Sequence, residues 1–311
     1  MKALVIGSEG NIGVPLVKRL QALGHEVLEV DIKPGWTDNY LMADINNPMD
    51  LIPAFDWKPD VVFMLAAMVS RVTCEQAASL TIQTNMTGVQ NVLELCKRVN
   101  AKCVYFSTSE VYGPECEVMS ETLTDPMPNN RYGMSKLLSE KLVEYEVRHH
   151  GLKAITLRPF MMYDEEEDLG DHRSAMIRFA WRLATGQPIE VHRGSARGWI
   201  HVDDAVRTII RAAEIETDYT VVNLGHSDIR GIDELATLIR KNLGASEDLI
   251  TFRDLPDRMT LVKRPDLTRM TELLGITPEI GFEDGVARVC KRITERLQST
   301  VSQPDLRTKD E

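Results

Sequence analysis

Tyr132 and Lys136 stand four residues apart in the run RYGMSK, a spacing that puts both on one face of a helix. A lysine ammonium near a phenol favours the phenolate, which makes the tyrosine usable as a proton acceptor near neutral pH. Upstream, the apolar strand VYFS runs out into Thr108, Ser109 and Glu110. A hydroxyl from Thr108 would hold the reacting oxygen while its proton leaves. Glu110 reads either as a catalytic carboxylate or as a polar strand-end residue. Together these groups suit oxidation of an alcohol, provided that something accepts the hydride.

The acceptor's site is legible at the start of the chain. KALVIG is a short apolar strand that runs into Gly7, Gly10 and Gly13, with Asn11 and Ile12 inside the turn, and Val14–Leu23 follow with helical periodicity. Pro15 falls where a first-turn proline is tolerated. Glycines at this spacing let the backbone approach a pyrophosphate, whose charge the helix N-terminus favours. A second apolar strand, EVLEV, ends in Asp31, where a carboxylate would bind an adenosine ribose and repel a 2′-phosphate. NAD is therefore expected over NADP, a preference that Lys33 weakens slightly.

The elements behind these motifs alternate. Strands are expected at 2–6, 26–30, 61–65, 102–107, 153–158 and 220–224. Helices are expected at 14–23, 76–98, 132–150, 172–185, 203–214, 232–243 and 283–297. Such alternation implies an α/β fold whose parallel sheet is covered on both faces.

These residues resemble the extended short-chain dehydrogenase/reductase family, specifically its nucleotide-sugar epimerases, dehydratases and decarboxylases. The resemblance spans residues 1 to about 297. It runs in order through the glycine loop, Asp31, Asp44 and Ile45, Leu65, Ala66 and Ala67, Asn85, the Thr108 segment, and Tyr132 with Lys136. RGWIHVDD (197–204), RPDLTR (264–269) and LLGITPEIGFEDGV (273–286) continue it. It implies a Rossmann-type, doubly wound sheet formed by 1–160 and about 200–225. A smaller, discontinuous substrate lobe would come from about 160–200 and 225–297, with 298–311 a loosely held tail. It also implies that Asp44 and Ile45 meet the adenine, that Ala66 and Ala67 line the cofactor cleft, and that Arg197 and Arg264 hold a nucleotide diphosphate.

In the implied chemistry Tyr132 takes a proton from a sugar hydroxyl at C4 while NAD takes the hydride, and Lys136 lowers the tyrosine's pKa and holds the nicotinamide ribose. The resulting ketone can be epimerised, decarboxylated, dehydrated or reduced. Ser109 stands where the 4,6-dehydratases typically carry an aspartate acid, which disfavours dehydration. The Thr-Ser-Glu triplet and RPDLTRMTELLG look like UDP-glucuronate decarboxylases. Met161 stands where the family usually has a substrate-contacting asparagine, and Met68 and Met161 are expected to wall the sugar site. Epimerisation is the first expectation, decarboxylation the second. The different-class alternative, a dinucleotide-binding redox sensor, is disfavoured because the Tyr/Lys pair is retained.

Composition bounds the rest. The 311 residues carry a formal net charge of −11, which argues against general nucleic-acid binding. The apolar fraction is ordinary, no apolar run approaches membrane-spanning length, and MKALVIGSEG is already strand and turn, so a cytoplasmic protein without a signal peptide is expected. Cysteines 74, 96, 103, 116 and 290 lack metal spacing and read as free thiols in a reducing compartment. The acidic run 164–168 reads as a solvated loop rather than a metal site. His149 and His150 meet the negative end of a helix, and His201 reads as structural. A homodimer through helices 76–98 and 132–150 is expected from the resemblance.

Overall fold

The expected apolar segments form one seven-stranded parallel sheet in a computed structural model that describes residues 1–114, 117–170, 174–254 and 262–301. Cys116 and the tail from 302 lie outside the described residues. In chain order the elements begin β1 (Lys2–Ile6), α1 (Gly13–Ala22), β2 (Glu26–Asp31), β3 (Tyr40–Met42), α2 (Pro48–Asp56) and β4 (Val61–Met64). Then come α3 (Arg71–Gln76), α4 (Ala78–Ile82), α5 (Gly88–Val99), β5 (Lys102–Phe106), α6 (Arg131–His150) and β6 (Ala154–Pro159). The later elements are β7 (Met161–Tyr163), α7 (Ala175–Ala184), β8 (Ile189–His192), β9 (Ala196–His201), α8 (Val202–Glu214), β10 (Thr220–Leu224) and β11 (Ile229–Gly231). The described chain closes with α9 (Ile232–Leu243), β12 (Ile250–Arg253), β13 (Val262–Lys263), α10 (Thr268–Glu272) and α11 (Phe282–Val301).

The sheet order β10-β6-β5-β4-β1-β2-β3 is the doubly wound arrangement, reversing direction at β1 and β4. β1, β4, β5 and β6 are buried on both faces, which is why they read as continuous apolar runs rather than alternating ones. One face packs α1 and α8 through Leu16, Leu20, Ala205 and Ile209. The other packs α2, α5 and α6 through Leu51, Phe55, Val92 and Val143. A third apolar cluster, with Met176, Phe179, Leu235 and Val289, joins α7, α9 and α11 outside the sheet. β7, β9, β11 and β13 form a small sheet between these parts, and β8 pairs β12.

The helix expected at 76–98 runs without interruption from 78 to 99 but carries a π turn. Residues 71–99 form α3, α4, a π turn at Gln83–Thr87 and α5. The cause is Asn85, which turns inward: its amide bonds both backbone groups of Met68, at 2.8 and 3.0 Å, and its carbonyl takes the Ser139 hydroxyl. A π turn supplies the extra residue that this inward turn requires. Seven strands (β3, β7, β8, β9, β11, β12 and β13) and helix α2 carried too little apolar periodicity to be expected.

The acidic run is also not simply solvated. Glu165 lies 2.6 Å from His201 Nε2, Glu166 pairs with Arg292 at 2.6 Å, and Glu167 accepts from both the backbone and hydroxyl of Ser174. These carboxylates pin the loop after β7 to β9, α11 and α7. His201 itself is buried and caps α8 by accepting the Asp203 N–H.

Candidate active site

The tight turn after β1 is built by its glycines. Gly7 has φ +94°, and a Cβ there would lie 2.7 Å from Ala66 N, while one on Gly13 would lie 2.2 Å from Gly7 O. The turn therefore closes against Leu65 and Ala66, whose N–H groups both bond Ile6 O, with half-buried Ala67 next. Gly10 donates to Gly7 O and accepts from Val14, leaving Asn11 exposed and Ile12 packed on the core. Asp31 is tied to this turn: Oδ2 accepts the Glu9 N–H at 3.0 Å and Oδ1 the Lys33 N–H at 3.1 Å. Lys33 donates its ammonium to Glu9 O, so that charge is engaged with the glycine turn itself. Asp44 is exposed and accepts both donors of Asn46; Ile45 is buried and packs against Gly88.

The residues of this groove fit a dinucleotide. Two hydroxyl oxygens, Ser8 Oγ beside the glycine turn and Ser107 Oγ at the end of β5, are buried without a partner among the described residues. Such orphaned groups are costly unless a ligand or water satisfies them. Lys136 is likewise buried, with its ammonium 4.6 Å above the Tyr105 ring and no hydrogen-bond acceptor among the described residues. The close approach at Gly7 and Gly13 is the shape that a pyrophosphate needs.

Beyond the groove, the chain brings Thr108, Ser109, Glu110, Tyr132 and Lys136 together. Thr108 ends the strand and starts a single 3₁₀ turn (Ser109–Tyr112) by accepting the Glu110 N–H. Asn130 caps α6 through its side-chain oxygen on Gly133 N at 2.8 Å, and its amide nitrogen donates to Glu110 Oε2 at 2.9 Å. One residue thus starts the catalytic helix and fixes the acid beside it. Burial pushes the Tyr132 phenol up to about 12, while a hydrogen bond from the Thr108 side chain lowers it. Burial pulls Lys136 down to about 7 against the opposing charge of Glu140. The two stand one turn apart on α6 as expected, with the Lys136 ammonium over the Tyr105 ring.

The substrate-facing expectations fare unevenly. Arg197 is largely buried on β9, and burial lowers its pKa while the Glu110 charge raises it. Arg264 is exposed, and its backbone carbonyl accepts the Met119 N–H. Its neighbour Lys263 is the buried one. Lys263 is the register partner of Arg197 in parallel strands, so the two side chains leave the sheet on the same face. Its ammonium forms an ion pair with Glu110 Oε1 and lies 3.4 Å from Ser109 Oγ. Arg71, at the first position of α3, lies 3.8 Å from Glu110 Oε2. Burial raises the Glu110 pKa, but Lys263, Arg71 and Asn130 outweigh it and hold the carboxyl below its ordinary range. Sequence reading did not single out Lys263 or Arg71. The available signal was the short KRP run, where only one of two adjacent residues on a strand can face the cleft. Met68 is half-buried and fastened to Asn85 through its backbone, and Met161 is half-buried opposite Trp199.

With this geometry in place, comparison with known proteins is informative. Residues 3–225 match the model of the NAD dependent epimerase/dehydratase family. The chain belongs to that family. It is accordingly an NAD-dependent enzyme of the nucleotide-sugar epimerase, dehydratase and decarboxylase group. A UDP-N-acetyl-alpha-D-glucosaminuronate decarboxylase of Bacillus cytotoxicus is 27% identical over 312 residues, covering 92% of this chain and 95% of the relative. UDP-glucuronic acid decarboxylase 4 of Arabidopsis thaliana is 28% identical, covering 96% of this chain and 69% of the relative. Among solved structures, the UDP-glucose 4-epimerase of Thermotoga maritima with UDP-glucose superposes with a TM-score of 0.89 at 25% identity, covering 96% of this chain and all of that one. No helix among the described residues is long and apolar enough to cross a membrane.

Proposed function

We propose that this family member oxidises C4 of a nucleotide-diphosphate sugar bearing a C5 carboxylate, and that the ketone so formed leads to loss of that carboxylate as carbon dioxide. The observation that carries the reading is the cationic pair beside Thr108: Lys263 and Arg71 both face the carboxylate of Glu110. Two cations against that acid leave positive charge for a second anion. A neutral hexose has no use for it, whereas a uronate does. This reading moves decarboxylation ahead of the epimerisation expected first.

NAD, when bound, supplies the hydride acceptor and returns the hydride later in the cycle. Tyr132 takes the proton from the C4 hydroxyl, and Thr108, whose side chain lowers the Tyr132 pKa, would hold the same oxygen. Lys136 is placed to hold the ribose hydroxyls and, when protonated, to favour the phenolate. The C4 ketone is then β to the C5 carboxylate, so the C5–carboxylate bond breaks and its electron pair is held as an enolate. Ser109 and Lys263, 3.4 Å apart, would deliver a proton to C5. Hydride return to C4, with the proton restored from Tyr132, leaves no net redox change. The lobe built on α7, α9 and α11 would carry the nucleotide end, with Arg197 on its phosphates. We further place a homodimer contact on the face of α4 and α6, where Leu80, Leu138 and Tyr145 are exposed.

A second reading, 4-epimerisation, is favoured by the close superposition on a UDP-glucose 4-epimerase. Incubation with UDP-glucuronate, UDP-N-acetylglucosaminuronate and UDP-glucose, followed by mass spectrometry and NMR, separates the two. Loss of carbon dioxide from a uronate supports decarboxylation. An unchanged mass with an inverted C4 proton coupling assigns an epimerase, and inertness toward every uronate rejects the first reading.

A further inference from the structure

Lys136 is a fully buried cation, and something other than water must keep it charged if it is to assist Tyr132. The residue one helical turn on is Glu140, itself only 2% exposed. Arg158 of β6 grips it through Nε and Nη2, at 3.0 and 2.7 Å, the fork geometry that suits an ionised carboxylate. Arg158 in turn stacks 4.8 Å from the Tyr112 ring, and the Tyr112 hydroxyl bonds Asn223 Oδ1 of β10 at 2.7 Å. The chain Glu140–Arg158–Tyr112–Asn223 therefore starts one helical turn from Lys136 and crosses from α6 to the sheet edge through buried residues.

We propose that Glu140 is a positioning residue for the reaction: it keeps the Lys136 ammonium charged over the Tyr105 ring, and Arg158 fixes Glu140 in place for that task. The proposal rests on the reading of Tyr132 as base and Lys136 as its partner. Few other groups compete. On its own helix Lys136 is flanked by Tyr132 and Glu140; from β5 it meets the Tyr105 ring. Around Glu140 stand Arg158 from β6 and Tyr219, whose hydroxyl bonds the Glu140 carbonyl at 3.3 Å. Glu140 is the single charge that opposes the effect of burial on Lys136. A merely structural ion pair would stabilise the fold without touching the lysine's proton.

The test is the titration of Lys136 in protein labelled with 13C at lysine Cε, assigned by the signal missing from K136M, in wild type, E140D and E140Q. In E140Q the Lys136 midpoint should fall by about one pH unit or more, a tenfold loss of proton affinity. The high-pH limb of kcat should move down by the same amount, with KM for the sugar little changed. E140D should restore most of both. An E140Q protein with an unchanged midpoint and only a lower melting temperature overturns the proposal. Should E140Q fold poorly, E140Q/R158M removes both charges together and is held to the same readings. The NMR midpoint needs no sugar, so a shifted midpoint alongside inertness to every nucleotide sugar would sink the assigned reaction while sustaining the role of Glu140.

Discussion

Lys263 and Tyr132 carry most of what the site does, and each gives a sharp expectation. Tyr132→Phe removes the oxygen that we propose accepts the C4 proton. Turnover should fall by about two to four orders of magnitude, while calorimetry should find NAD bound as tightly as before; an active variant would remove Tyr132 as the base. For Lys263→Met the argument concerns charge. In the native chain Glu110 is held down by Lys263, so its contribution to stability is present above the ordinary glutamate range and is lost as pH falls through its lowered pKa. Without Lys263, burial, already the largest influence, is opposed only by Arg71 and Asn130 and raises the Glu110 pKa. The sign then reverses: Glu110 favours the fold when neutral and costs stability as pH rises. The variant should therefore be destabilised by about 3–5 kcal/mol at pH 7, as for other broken buried pairs, and by much less at pH 4. Urea unfolding at the two pH values measures this; an equal loss at both would show that the ion pair does not set the ionisation of Glu110. Tyr132, Lys136 and Thr108 were legible because they lie in short local motifs. Lys263 was not, because its partner Glu110 is 153 residues away and only the register of β13 on β9 brings them together.

At the level of elements, sequence patterning served well where burial is two-sided. β1, β2, β4, β5, β6 and β10 are continuous apolar runs, and their parallel order follows from alternation with helices. It failed where pairing alone makes the strand. β13 is two residues long, and β7 and β11 are three each, too short for any period to show. It found the helix that contains Asn85 but not its π turn, where a polar side chain reaches for the Met68 backbone. The glycine turn is the element most sensitive to change. Gly7→Ala would add a methyl 2.7 Å from Ala66 N at a positive φ, so the turn must open. NAD affinity should drop by about tenfold or more, with about 1–2 kcal/mol lost from the fold. Titration calorimetry showing native affinity would mean that the turn does not cradle the pyrophosphate.

At the scale of the whole molecule, α6 carries the candidate site residues Tyr132 and Lys136 and exposes the apolar Leu138 and Tyr145. Leu138 and Tyr145, two turns apart, are 40% and 53% exposed, and Leu80 on α4 is 48% exposed. Exposed apolar residues gathered on neighbouring helices are the signature of an association face. The double substitution Leu138→Glu and Tyr145→Glu should convert a dimer into a monomer in light scattering after size exclusion, with little change in the fold. An unaltered mass would move the contact elsewhere. The path of the chain has a temporal side as well. By Leu224 the parallel sheet is complete, whereas the ammonium that neutralises Glu110 arrives only with Lys263. On the ribosome, then, the dinucleotide groove can form well before the sugar cleft acquires its charge. A chain halted between those points has its glycine turn and Tyr132, but Glu110 then keeps only Arg71 and Asn130 of the partners described above.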